Sequence, residues 1–162
     1  MSEVEELDDE QISSEEEIDS EQYLTFIMDN EEYGVDILAV QEIRGWESAT
    51  PVPNSPKYLR GVINLRGTIV PIVDLRDRFS LASEEYGAET VVVVLKINLE
   101  KGSRTMGIIV DAISDVYDVP ISDIKVTGLG ENRNSNFIKG LVTVDKNMVI
   151  LLELEKLLTI DD

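Results

Sequence analysis

The sequence contains no histidine and no cysteine. The first absence removes the side chain that trades protons near neutral pH. The second removes disulfides, thiol redox chemistry and thiolate metal ligands, and it fits a reducing cytosol. Zinc would have to rely on carboxylates alone, against its ordinary preference for nitrogen and sulfur. Neither a phosphate-binding GxxxxGK-S/T pattern nor a dinucleotide-binding GxGxxG pattern occurs. Asp111, Asp115 and Asp118 lack the spacing and central glycine of a calcium loop. No apolar run approaches the ~20 residues of a membrane helix. The longest, Val91 to Leu95 and Met148 to Leu152, have five residues each. The N-terminus has neither the basic nor the apolar region of a signal peptide, so a cytoplasmic protein with no direct membrane insertion is expected. These absences predict a non-enzyme without cofactor or metal. A reaction run by two carboxylates stays open at this level, because any two of 33 acidic residues could meet in space.

What is present is an acidic, globular composition. A chain of 162 residues makes one domain or two small ones. Hydrophobic residues form 43% and charged residues 29%, as in soluble globular proteins. The net charge of −19 would repel nucleic-acid backbones and anionic lipid. Met1 to Gln22 holds 11 acidic and no basic residues, which leaves 22 acidic against 14 basic for the remainder. Residues 1–22 are too polar to offset their ordering entropy, so a disordered acidic tail is expected there.

The organising stretch is Leu59 to Leu75, LRGVINLRGTIVPIVDL. Two β-rich runs flank Arg66-Gly67, which predicts a hairpin with Arg66 at its tip. The pattern returns 79 positions later at Ile138 to Leu154, IKGLVTVDKNMVILLEL. Tyr58-Leu59-Arg60-Gly61 matches Phe137-Ile138-Lys139-Gly140, and Val70, Ile72, Val73 and Leu75 match Val149, Leu151, Leu152 and Leu154. Upstream, Gly34 to Ile43 aligns without gaps with Gly107 to Val116. Two blocks in the same order predict a duplicated unit of about five short strands. Each unit is near the size at which an isolated core is marginal, so the units should share apolar surface. Val91 to Leu95 reads as a strand covered on both faces. Thr50 to Pro56 is a proline-rich connector, Ala82 to Glu89 a polar link, and Asp123 to Asn136 a mobile loop. The domain reading is a tail at 1–22, a first barrel at 23–85 and a second at 86–162 ending in a helical turn.

Recognition is where the repeats differ. The hairpin tip is Arg66-Gly67 in one unit and Asp145-Lys146 in the other, so the fold alone does not require Arg66. Arg66 is either a solvated turn residue or a guanidinium that orders a carboxylate or a partner, with Glu42 as a candidate mate. Val40 and Ile113 are repeat mates, placed either in the core or along an apolar groove between units. Trp46 is expected to be half-buried structure. The runner-up reading of the whole chain is a small-ligand-binding barrel or a carboxylate-based hydrolase.

The segments EEYGVDILAVQEIRG (Glu31 to Gly45) and RGVINLRGTIVPIVDLR (Arg60 to Arg76), with MGIIVD and LEKLL later in order, resemble the CheW family of bacterial chemotaxis coupling proteins. The resemblance runs from about Gln22 to Leu158. It implies an all-β fold of two pseudo-symmetric five-stranded Src-homology-3-like barrels packed side by side, with short helical turns. It implies a non-enzymatic scaffold that joins the cytoplasmic tips of methyl-accepting chemoreceptors to the regulatory domain of the kinase CheA, in membrane-associated arrays. A receptor hairpin would lie between the barrels. Ile37, Val40, Glu42, Gly61 and Arg66 would form one wall, and Val91, Ile113 and Val116 the other. Kinase contacts would lie on exposed barrel ends, without assignment to particular residues.

Overall fold

The computed structural model describes residues 19–100, 102–126 and 135–159. The expected tail, apart from residues 19–22, and the centre of the expected mobile loop lie outside these residues. Ten strands follow in order: β1 (Ser20–Met28), β2 (Glu31–Asp36), β3 (Val40–Gly45), β4 (Leu59–Leu65), β5 (Thr68–Asp74), β6 (Val91–Leu99), β7 (Gly102–Val110), β8 (Ala112–Pro120), β9 (Ile138–Val144) and β10 (Asn147–Leu152). Two single-turn helices, α1 (Leu75–Arg78) and α2 (Leu154–Leu157), follow the equivalent strands β5 and β10. Strand β1 begins inside the stretch expected to be disordered. Acidic composition hid it, but Ser20 to Gln22 pair with Pro120 to Asp118 of β8.

The strands form two five-stranded sheets, β8-β1-β2-β10-β9 (barrel I) and β3-β6-β7-β5-β4 (barrel II). Adding five to each strand number of the first half converts one order into the other, so the sheets are related by the internal repeat. They do not coincide with the chain halves. Each barrel takes three strands from one repeat and two from the other, which corrects the division at residues 85 and 86. Periodicity could not show this, because a strand has the same apolar pattern whichever repeat supplies its neighbour.

The equivalence reaches individual residues. Parallel ladders place Ile72 opposite Gly107 and Leu151 opposite Gly34. A side chain on Gly107 would sit 2.7 Å from Ile72 Cδ1, and one on Gly34 would sit 3.0 Å from Leu151 Cδ2. Gly107 thus leaves space that the parallel crossing uses, while at Gly34 a side chain would need its neighbours to give by a few tenths of an ångström. One extra residue bulges β3 between Val40 and Glu42, and the matching bulge opens β8 opposite Leu24 and Phe26. Thr50 bridges to Val62 and Lys125 to Leu141, each through two backbone hydrogen bonds. These bridges join the segment after one edge strand to the other edge and close each barrel.

Among the described residues, three apolar clusters form the core. Val70, Ile72, Val92, Val94 and Ile109 pack inside barrel II, and Tyr23, Val119, Val142, Val149 and Leu151 inside barrel I. The largest lies between the barrels and draws on both: Leu24, Phe26 and Val35 meet Val93, Leu95, Met106 and Ile108. Thus Val92 and Val94 face one core while Val93 and Leu95 face another, the two-sided cover expected for this run. Arg78 lies between the rings of Tyr58 and Phe137, at 4.2 and 4.7 Å. Those rings are repeat mates, so Arg78 sits near the pseudo-two-fold axis, where it donates to the Leu157 carbonyl at 3.1 Å.

Candidate functional site

Side chains directly opposite each other in an antiparallel pair share a face. Val40 lies opposite Leu95, Ile43 opposite Val93, and Val91 continues the same face of β6. On barrel I, Ile113 lies opposite Phe26 and Val116 opposite Leu24. Leu95, Val93, Phe26 and Leu24 all belong to the central core. The structure therefore brings Val40, Val91, Ile113 and Val116 to the seam between the barrels, where the core reaches the surface. Val40, Val91, Ile113 and Ile37 are half-buried against that core. Val116 is 45% exposed, and its symmetry mate Ile43 is 43% exposed. Ile43 is a seam residue that sequence reasoning missed. The signal was available, because the aligned repeat places Ile43 on Val116.

Glu42 and Arg66 stand elsewhere. Glu42 lies opposite Val94, whose side chain belongs to the core inside barrel II. The Arg66 guanidinium donates to Glu42 Oε1 at 2.6 Å across the mouth of that barrel. Its side chain is 74% exposed, so the pair contributes about 0–1 kcal/mol and chiefly orients the guanidinium. Arg66 and Gly67 both take positive φ, 51° and 88°. Asp145 and Lys146 take the same conformation, 51° and 72°, without a glycine. The turn is thus shared, and the charge at its tip is not.

Gly61 is buried and lies in neither group. Its φ is 153°, and a Cβ there would approach the Thr50 carbonyl oxygen to 2.4 Å. The bridge that closes barrel II explains this glycine. Its mate Gly140 stands beside the equivalent bridge without positive φ, and a Cβ there would meet the Ile124 side chain at 2.6 Å and the Lys125 carbonyl oxygen at 3.2 Å.

The strongest charge cluster lies beside α1. Arg76 donates from Nε and Nη2 to Asp111 at 3.0 and 2.7 Å, and from Nη1 to the Ala82 carbonyl at 2.8 Å. Asp111 also accepts from the Asp29 amide at 2.9 Å. The cluster ties the β7–β8 junction to the β1–β2 turn and to the linker. Burial opposes ionisation of Asp111, but the Arg76 and Asp29 hydrogen bonds with the Arg76 charge outweigh it and hold its carboxyl below the ordinary value.

Asp74 and Asp77 are the two carboxylates that most resemble a catalytic pair, both with nearly buried side chains. Asp74 Oδ1 caps α1 by accepting from the Arg76 and Asp77 amides. Its Oδ2 accepts from Tyr86 Oη and from Arg60 at 3.0 Å. Burial and the nearby Asp74 raise the Asp77 carboxyl, which shares Arg60 at 3.3 Å. With Asp74 held by four donors, the pair builds the helix start, and Asp74 also borders a hollow of about 210 Å³ shared with Arg76, Tyr86 and Asp111. Among the described residues no group of acidic side chains could hold a metal ion. No helix among them is long and apolar enough to cross a membrane.

Two strand-exchanged five-stranded barrels thus share one central core, which reaches the surface as an apolar seam. The chain belongs to the CheW-like domain family, whose model matches residues 22–162. Chemotaxis protein CheW of Klebsiella aerogenes is 41% identical over 143 residues, covering 88% of this chain and 84% of that protein. Chemotaxis protein CheW of Rhizobium meliloti is 38% identical, covering 82% and 83%. The crystal structure of the scaffolding protein TtCheW from Thermoanaerobacter tengcongensis superposes with a TM-score of 0.77 at 27% identity, covering 87% of this chain and 89% of that one. The family is one of coupling and scaffolding proteins, not of enzymes.

Proposed function

We propose that this chain couples the cytoplasmic tips of chemoreceptors to the regulatory domain of CheA, working in the cytoplasm at membrane-associated arrays. The observation that carries this reading is the seam. Ile43 and Val116 stand out of the central core at symmetry-related positions, flanked by Val40, Ile113, Val91 and Ile37. A strip of this kind fits the apolar face of a helix. The kinase regulatory domain would take the barrel ends, where the equivalent residues Ile69 and Met148 are exposed. Arg66 and Glu42, at the mouth of barrel II, would then serve kinase control or orient the neighbouring contact, apart from the seam itself. Co-sedimentation with receptor-containing membranes and CheA tests the proposal. Pelleting that needs receptor and is lost in Ile43→Asp supports it. A chain that stays in the supernatant with both partners present contradicts it.

A further inference from the structure

We infer that the surface joining the two half-chains is also a docking surface for a second copy of this chain, so that copies exchange halves to form a dimer. Among the described residues the ladders within each half are only hairpins: β1 with β2, β4 with β5, β6 with β7, and β9 with β10. Every other ladder joins one half to the other: β1 with β8, β2 with β10, β3 with β6, and β5 with β7. A lone hairpin is marginal in water, so neither half has a fold without its complement. The central core likewise takes its residues from both halves.

Only residues 80–90 connect the halves, and they contribute no strand to either barrel. The linker is held locally, by Arg76 on the Ala82 carbonyl, by Tyr86 on Asp74, and by the Gly87 amide on Thr90 Oγ1. A half supplied by a second copy would rebuild every ladder and all three cores with the same residues. Only the path of the linker would differ. The balance is then one of concentration. A flexible tether of this length holds its ends at an effective concentration on the order of 1 mM. Exchange should be about 1% at 10 μM chain and comparable with the closed monomer near 1 mM. A net charge of −19 on each copy opposes the dimer, so salt should favour it.

The test unfolds and refolds the full chain at about 10 μM and about 1 mM in high salt, and reads mass by light scattering after gel filtration. A second sample carries a protease site between Glu84 and Glu85 and is cleaved after folding. We expect monomer of 18.1 kDa at the low concentration and a substantial dimer at the high one. We expect the cleaved protein to remain one particle of monomer mass and to refold to that particle at both concentrations. Three results would overturn the inference: no dimer at the high concentration, a dimer that survives cleavage, or cleaved halves that separate as folded barrels.

Discussion

The junction beside α1 and the junction beside α2 occupy equivalent places in the two repeats, yet their chemistry is opposite. Beside α1, Arg76 grips Asp111 and the linker. Beside α2, the repeat alignment puts Glu155 where Arg76 stands and Leu38 where Asp111 stands. No clasp forms there, and Leu38 lines an open hollow of about 360 Å³ with Ile97 and Leu154. What the repeats share belongs to the fold: the crossing glycines, the bulges, the closing bridges and the tight turns. What they do not share, the clasp and the Arg66 tip, sets stability at one junction and surface character at one barrel mouth.

The largest difference between the repeats is expected at the closing bridges. Gly61→Ala should cost about 3 kcal/mol or more, since both positive φ and the Thr50 carbonyl oppose a side chain. Gly140→Ala should cost about 1–2 kcal/mol, because Ile124 is a side chain that can shift. Denaturant unfolding of both variants decides this, and equal losses would show that φ contributes little.

Next comes the clasp. Arg76→Ala should destabilise by about 2 kcal/mol at neutral pH, a value discounted for the partial exposure of Asp111. Glu155→Ala should stay within about 0.5 kcal/mol. Asp111 ionises more readily in the folded state than in the unfolded chain, so its stabilisation is present above its ordinary value of 3.8 and lost as pH falls through the lower folded value. The difference between wild type and Arg76→Ala should therefore shrink in acid, as read from unfolding curves across pH. A constant difference would remove Asp111 from the effect.

Smaller still is the turn. Lys146→Gly should stabilise by roughly 0.5–1 kcal/mol by relieving positive φ, as measured by denaturant midpoint. Arg66→Ala should change the melting temperature least of all while weakening coupling to the kinase. A large thermal loss with coupling intact would make Arg66 a structural residue.

Much of this fold is legible in the sequence. The hairpin at Leu59 to Leu75 and its echo fall on β4–β5 and β9–β10, because alternating apolar runs around a two-residue turn permit little else. The double cover of Val91 to Leu95 is equally plain. The exchange of strands is not, since pairing between β1 and β8 or β5 and β7 joins residues far apart without changing either pattern. The clasp left no trace for a similar reason: Arg76 and Asp111 are 35 residues apart and each looks like an ordinary surface charge. The eight candidate residues form no single groove. Ile37, Val40, Val91, Ile113 and Val116 follow the central core, Glu42 and Arg66 follow the barrel mouth, and Gly61 follows the closing bridge. Register separates them, and register needs the partner strand.

The most direct test is receptor-controlled CheA activity reconstituted with wild type, Ile43→Asp and Val116→Asp. Both side chains are partly exposed, so the fold should survive, as circular dichroism can verify. A coupling seam predicts that wild type restores receptor control of the kinase and that each variant abolishes it while remaining folded. Full receptor control by both folded variants would contradict a receptor site at the seam.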